Sequence, residues 1–218
     1  MQYMFARARR FNQSLNNWDT SNVTNMIGIF AGATSFNQPI NDWDTSHITK
    51  MINIFGDPWD EGASSFNQPL NHWDTSNVTD MTNMFYGANA FNQPLDNWNT
   101  SNVTDMGYMF YNATAFNCSI NNWDILHVTN MNSMFYNATA FNQPMNWNAT
   151  YVKDMRSMFN GATSFNQDIS GWRKNYYASQ RVHTDSMFKN SAMSQENYCK
   201  IANSWNYNGD LGMDYTCH

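Results

Sequence analysis

The chain has 218 residues, of which only 13% are charged, and its formal net charge is −6 at pH 7. This balance excludes the basic field by which nucleic-acid-binding proteins usually attract phosphates. No apolar run approaches the roughly 18 residues that a membrane-spanning helix needs, so we expect no membrane span in this chain.

A repeat of about 25 residues runs through almost the whole chain and is its strongest signal. Each unit carries a Phe, then a Trp, then a branched residue. Self-similarity at a fixed period of about 20–50 residues indicates a stack of repeats. The Phe that opens the units recurs at Phe11, Phe36, Phe66, Phe91, Phe116, Phe141 and Phe165.

Each unit predicts one strand and one helix, in that order. The segment "FNQPLNHW" alternates loosely between apolar and polar residues and predicts a turn and then a short strand over 70–73. Val78, Met81 and Phe85 follow at helical spacing between candidate caps, which predicts a helix over 77–86. Stacked units predict an α/β right-handed solenoid of about seven coils, with short parallel strands on one side and short helices on the other.

The Asn after each opening Phe never varies. Such constancy predicts a structural ladder of buried amides, in which each Asn bonds the backbone of its own coil and of the next. A binding role for these side chains is the alternative. The ladder residues are Asn12, Asn37, Asn67, Asn92, Asn117, Asn142 and Asn166.

The first residues align with the middle of a unit, since "MQYMFARARRF" matches "MTNMFYGANAF" at 81–91. The repeat array over 1–192 therefore starts inside a predicted helix. We expect either a longer natural array or a truncated chain. An uncovered N-terminal coil would leave an open apolar end that is available for self-assembly.

The tail over 193–218 departs from the repeat and predicts a C-terminal cap. Cys199 and Cys217 flank this cap and could form a disulfide, whereas Cys118 is left over. A secreted protein with one disulfide in the cap is the interpretation we favour. The predicted cap helix places its apolar side chains on one face: Tyr198, Ile201 and Trp205.

Two insertions break the period: "GDPWDE" at 56–61 and "RKNYYASQR" at 173–181. Insertions in repeat arrays map to loops on one face and often serve binding. Tolerated loop growth is the alternative to a contact with an anionic glycan or another partner. The candidate binding residues are Trp59, Arg173, Lys174, Tyr176, Tyr177 and Arg181.

No catalytic pattern assembles in the sequence. It contains no HxxH, no paired CxxC, no glycine-rich phosphate loop and no GxSxG, so we expect no enzyme, no metal site and no cofactor. A column of Asp after Trp is interpreted as capping of turns and helix starts, with Ca²⁺ between coils as the alternative. Its members are Asp19, Asp44, Asp74 and Asp124.

Asn112 and Asn137 take the place of the Gly at the predicted helix end, each within an Asn-x-Thr sequon. Both should be exposed in a left-handed turn, which Asn tolerates. They are the first candidates for N-glycosylation if the protein is eukaryotic and secreted. The sequons at Asn12 and Asn117 lie in the predicted ladder and should stay bare.

The segment "WDTSNVTDMTNMFYGANAFNQPL" resembles the repeat of BspA-like surface proteins, which are grouped with leucine-rich repeats. Such repeats occur in mycoplasma surface lipoproteins, other bacteria, marine protists and their viruses. The resemblance covers nearly the whole chain, from residue 1 to about residue 192. It implies leucine-rich-repeat-like coils, extracellular or cell-surface display and no catalytic residues.

This resemblance also implies a non-catalytic role in adhesion or in binding a protein or glycan at a surface. The alternative is a structural segment of a filament, coat or appendage, which assembles by end-to-end stacking through the N-terminal coil. The polar positions of the repeat are nearly the same in every unit. This monotony favours a repetitive partner, such as a glycan layer or a neighbouring copy.

Overall fold

The computed structural model describes residues 1–173, 182–205 and 211–217. The repeat units stack as coils, and the backbone of each coil hydrogen-bonds the coils on either side. Across these three ranges, the helices are a 3₁₀-helix at Ser170–Arg173 and an α-helix, α1, at Gln195–Trp205. Strand pairing there is limited to isolated parallel bridges: Lys50–Asp80, Asp80–Asp105, Asp105–Asn130, Asn130–Asp154 and Asp154–His183.

The predicted α/β solenoid of leucine-rich-repeat-like coils is therefore wrong. Neither the helix over 77–86 nor the strand over 70–73 forms, and turns and irregular backbone replace both. Asn83 and Gly87 have φ of 56° and 70°. Such left-handed residues interrupt an α-helix. The spacing of three and four residues between apolar side chains predicted the helix. Two successive turns also direct side chains at this spacing into the core.

Two positions in most coils share this left-handed backbone, four residues apart. The first is occupied by Tyr3, Gly28, Asn53, Asn83, Tyr108, Ser133, Ser157 and Ser186. The second is occupied by Arg7, Gly32, Gly87, Asn112, Asn137, Gly161 and Asn190. Glycine and asparagine dominate the second position because they adopt positive φ at the lowest cost.

The segment 81–87 contains both left-handed positions of one coil, and its hydrogen bonds to the next coil all run in the same direction along the stack. Alternate N–H groups donate to carbonyls of the next coil over 2.7–3.0 Å: Met81, Asn83, Phe85 and Gly87. Of the N–H groups between them, those of Met84 and Tyr86 donate to the carbonyl three residues back and close turns, whereas that of Thr82 donates to Asp80 Oδ1 at 3.0 Å. The carbonyl of Asp80 accepts from Met51 of the coil before, at 2.8 Å. The backbone is thus satisfied without a helix or a sheet.

Columns of Phe form the centre of the core. The Phe of each turn segment stacks on its copies with ring centroids 5.4–5.9 Å apart: Phe5, Phe30, Phe55, Phe85, Phe110, Phe135, Phe159 and Phe188. The Phe that opens each unit forms a second column, 3.8–4.1 Å from the first within each coil. This stacking of Phe on its copies supplies a large apolar contribution to folding.

A Trp column lies beside the Phe columns and connects neighbouring coils. The indole Nε1–H of Trp98 donates to the carbonyl of Leu70 in the preceding coil, at 3.0 Å. The same bond recurs at 2.8–3.2 Å for Trp43, Trp73, Trp123, Trp147 and Trp172. Each buried indole therefore has a hydrogen-bond acceptor.

The Asn ladder is present but not buried. Asn67 Oδ1 accepts from the backbone N–H of Asn92 at 2.9 Å and from Gln93 Nε2 at 3.0 Å. Equivalent backbone bonds of 2.9–3.0 Å connect Asn12, Asn37, Asn67, Asn92, Asn117, Asn142 and Asn166 in turn. The expectation of buried amides is wrong, because the side chains lie on the coil surface and are half-buried or exposed.

The helix α1 lies in the segment for which the sequence predicts a capping helix, and it buries the predicted apolar face: Tyr198, Ile201 and Trp205. Before it, the N–H of Ser194 donates to Asn166 Oδ1 at 2.8 Å and ends the Asn ladder. A disulfide joins Cys199 to Cys217. Cys118 is free and half-buried.

Candidate functional site

The insertion at 56–61 folds back across one coil and reaches the first coil of the chain. Arg7 Nε donates to Asp57 Oδ2 at 2.8 Å, and these residues are 50 positions apart. Arg9 forms a second ion pair with Asp60. The loop is therefore anchored at two points, which sequence reasoning did not anticipate.

A glycine makes room for the first of these ion pairs. A Cβ on Gly32 would lie 3.0 Å from Arg7 Cγ and 3.0 Å from Asp57 Oδ2. The side chain of Asp57 is 3% exposed, whereas that of Arg7 is 54% exposed. The hydrogen bond to Asp57 raises the pKa of Arg7, so the guanidinium stays charged.

Trp59 projects from this anchored loop. It is 78% exposed, the largest fraction for any large apolar side chain in the described part of the chain. Its backbone N–H donates to Asp57 Oδ1 at 3.1 Å, which fixes the loop directly at Trp59. An exposed Trp on a fixed backbone is typical of the anchor residues of binding surfaces.

A groove of about 150 Å³ lies between Trp59 and the first coil. Its walls include Tyr3, Arg7 and Asp57, and Asn53 also lines it. Asn53 is 5% exposed, and its side-chain Oδ1 has no hydrogen-bond partner. An unpartnered buried polar atom is unusual and indicates either strain or a missing contact.

A row of tyrosines continues on the far side of the loop. Tyr86, Tyr111 and Tyr136 stack with centroids 4.4 and 4.6 Å apart and rings within 4° of parallel. A Cβ on Gly56 would lie 2.8 Å from the backbone nitrogen of Tyr86, so the base of the loop packs on this row. Burial raises the pKa of Tyr111 to about 12. The pair "FY" in three successive units was the sequence signal for this row.

Of the second insertion, the structure describes only its first residue. Arg173 ends the 3₁₀-helix Ser170–Arg173. The other four predicted binding residues lie outside the described residues: Lys174, Tyr176, Tyr177 and Arg181. Their role in binding stays a prediction.

Asn112 and Asn137 adopt the left-handed conformation predicted for them, with φ of 57° and 54°. They are half-buried, not exposed as expected. The amide of Asn137 lies against Gly161, where a Cβ would come within 1.9 Å of Asn137 Oδ1. Glycosylation of either residue stays a prediction.

The Asp column caps turns only, since the helices whose starts it was also expected to cap do not form. Each carboxylate accepts the backbone N–H two residues ahead at 2.9–3.0 Å: Asp19, Asp44, Asp74 and Asp124. Hydrogen bonds from serine hydroxyl and backbone groups lower the pKa of Asp19, Asp44 and Asp74. Within the described ranges, no group of three or more His, Cys, Asp or Glu is placed to hold a metal ion.

The fold is that of a repeat protein, and the candidate site lies in an insertion that interrupts the repeat. The chain belongs to the family described as "Mycoplasma protein of unknown function, DUF285", which matches residues 1–60, 59–146 and 116–217. No curated protein and no solved structure matches the chain. In the part of the chain that the structure describes, no helix has the length and apolar character needed to cross a membrane.

Proposed function

We propose that this chain is a non-catalytic, BspA-like repeat protein that is displayed outside the cell and mediates adhesion or binding to a surface partner. The anchored loop that carries Trp59 is the contact site. The observation that carries this proposal is an indole 78% exposed on a loop held by Asp57 and Asp60. Because the loop is already ordered, binding would not incur the cost of ordering it.

Two further features support the proposal. The disulfide between Cys199 and Cys217 favours an extracellular location, since disulfides persist in oxidising compartments. The repeat buries its aromatic and aliphatic side chains in continuous columns and serves as a scaffold. Binding residues are commonly carried by loops that a rigid scaffold positions.

The test is a binding screen with the purified full chain on cell surfaces, extracellular proteins and immobilised glycans. Trp59→Ala should weaken binding by about 30-fold, since truncating a central interface Trp commonly costs about 2 kcal/mol or more. Tyr151→Ala is the matched control, because Tyr151 is also exposed, at 55%, and lies on a distant coil. Equal binding by wild type and Trp59→Ala would contradict this assignment of the site.

A further inference from the structure

We propose that the groove beside Trp59 receives the Trp59 indole of a second copy of this chain, so that two copies bind each other by reciprocal insertion. This inference rests on the proposed function and names the partner at the same site. The groove has a volume of about 150 Å³. A cavity of about that volume accommodates a benzene ring, so the groove can hold the six-membered ring of an indole.

The groove lies where the row of tyrosines is interrupted. Three successive coils have a stacked tyrosine at one position of the repeat, with ring centroids 4.4 and 4.6 Å apart: Tyr86, Tyr111 and Tyr136. The first three coils have small residues at that position: Ala6, Ala31 and Gly56. Ala6 and Ala31 line the groove. The groove is therefore the space that aromatic rings fill in the later coils, and a ring from another molecule can fill it here.

The accessible surface of the groove is apolar. The rings of Tyr3 and Trp59 line it together with the two alanines. The polar residues in its walls contribute little surface, since Asn53 and Asp57 are 5% and 2% exposed. The guanidinium of Arg7 donates to Asp57 at 2.8 and 3.3 Å. An indole that enters the groove thus gains apolar contact and covers few polar atoms.

Trp59 cannot fill the groove of its own chain. Its backbone N–H donates to Asp57 Oδ1 at 3.1 Å, and the loop is held by the ion pairs of Arg7 with Asp57 and of Arg9 with Asp60. The indole therefore stays 78% exposed beside the groove. A projecting side chain next to a groove that fits it makes this surface self-complementary, as a two-fold contact between copies requires.

Charge does not oppose this contact, although the whole chain has a net charge of −6. The segments 7–10 and 57–61, from the first coil and the loop, carry three basic and three acidic side chains. Their charges balance, so two copies of this surface do not repel each other.

The experiment is sedimentation equilibrium of the full chain from about 10 µM to about 1 mM. The wild type should form a dimer with a dissociation constant of about 10–500 µM, as expected for a small transient interface. Trp59→Ala should weaken dimerisation by about 100-fold or more, because both copies lose the central indole. Tyr151→Ala removes another exposed aromatic ring, on a distant coil, and should dimerise as the wild type does.

A second pair of variants tests the groove. Ala31→Tyr gives the second coil the residue that the later coils have at this position, and its ring would fill the groove. Dimerisation should weaken by about tenfold or more, since the indole loses its pocket. Asn160→Tyr is the matched control, because it adds a tyrosine at the same position beyond Tyr136 and leaves the groove open. Urea denaturation checks that both variants fold.

Mixing two variants tests reciprocal insertion directly. Trp59→Ala has an open groove without the indole, and Ala31→Tyr has the indole and a filled groove. Only the mixed dimer retains one intact contact between an indole and a groove. The mixture, with one variant fluorescently labelled, should associate about fourfold more tightly or better than either variant alone.

Four results would overturn the inference: a wild type that is monomeric at about 1 mM, an unchanged dimer in Trp59→Ala, an unchanged dimer in Ala31→Tyr, or a mixture that associates no more tightly than its components. A monomeric chain whose Trp59 indole N–H signal in NMR moves with N-acetyltryptophanamide would assign the groove to another protein. Under any of these, weaker binding of Trp59→Ala in the binding screen would still uphold the proposed function. A screen without Trp59 dependence would contradict that function separately.

Discussion

Arg7 and Asp57 form an ion pair that spans two coils, with 2.8 Å between Arg7 Nε and Asp57 Oδ2. The Arg9–Asp60 pair spans the same two coils, whereas the Asn ladder and the backbone bonds of the turn segments connect adjacent coils. Asp57 is nearly buried, and its carboxylate accepts from Arg7 and from the backbone N–H of Trp59. The pair therefore holds the candidate binding loop in one place on the scaffold.

Asp57→Asn should release this loop. The substitution keeps the shape of the side chain but removes the charge that holds Arg7. We expect the backbone amide of Trp59, which donates to Asp57 Oδ1, to exchange with solvent about tenfold faster or more. Hydrogen exchange of the Trp59 amide is the measurement. Arg10→Ala is the control, since no described contact involves that side chain, and an unchanged rate in Asp57→Asn would contradict the anchoring role.

Trp98→Ala should strongly destabilise the stack. Trp98 is 4% exposed and its indole donates to the carbonyl of Leu70. Truncation of a buried Trp typically costs about 3–5 kcal/mol in the free energy of unfolding. Urea denaturation measures the loss. Tyr151→Ala, on the surface, should change the free energy by less than about 0.5 kcal/mol. Similar small effects of both substitutions would show that the Trp column does not support the fold.

Two substitutions at Asn67 in the Asn ladder should differ in how much they lower the free energy of unfolding. Asn67→Ala removes the acceptor of the Asn92 amide and of Gln93 Nε2, at a cost of about 1–2 kcal/mol. Asn67→Asp keeps an acceptor oxygen and should lose less. Urea denaturation, together with exchange of the Asn92 amide, tests this order. If Asn67→Asp were as damaging as Asn67→Ala, the acceptor would not be what matters at this position.

The turn caps predict a loss of stability in acid. Asp44 accepts from Ser46 Oγ at 2.6 Å and from Ser46 N at 2.9 Å, and these bonds lower the pKa of Asp44. A lowered pKa stabilises the fold above the unfolded value of about 3.9, and this contribution is lost as the pH falls through the folded value.

Ser46→Ala removes one of these hydrogen bonds and so tests the acid prediction. The difference in unfolding free energy between wild type and Ser46→Ala should be constant from about pH 5 to pH 7 and shrink below about pH 4. Urea denaturation across this pH series is the measurement. A difference that widens in acid would contradict the cap.

The sequence predicts the core better than it predicts the backbone. Val78, Met81 and Phe85 are fully buried, as their spacing indicates. That spacing did not determine the helix, because consecutive turns with left-handed residues at Asn83 and Gly87 point the same side chains inward. A short apolar pattern cannot distinguish these backbones, and Asn and Gly four residues apart were the available signal for turns.

The site was predicted in part. The sequence indicates Trp59 as a candidate because it lies in an insertion, but the path of that insertion depends on contacts with the first coil. Arg7 occupies a left-handed position that is Gly or Asn in the other coils that have it. An Arg at a left-handed position, two units before an acidic insertion, was the signal for the ion pair.

Within the turn segments, the backbone hydrogen bonds between coils run in one direction, so this part of each coil has two different faces. In the turn segments, one face offers N–H donors to the next coil and the other offers carbonyl acceptors to the coil before. Removing or duplicating one whole unit would therefore join faces that already match. The length of such an array can change by recombination in complete units, while a partial unit would misalign every donor, aromatic ring and Asn beyond it.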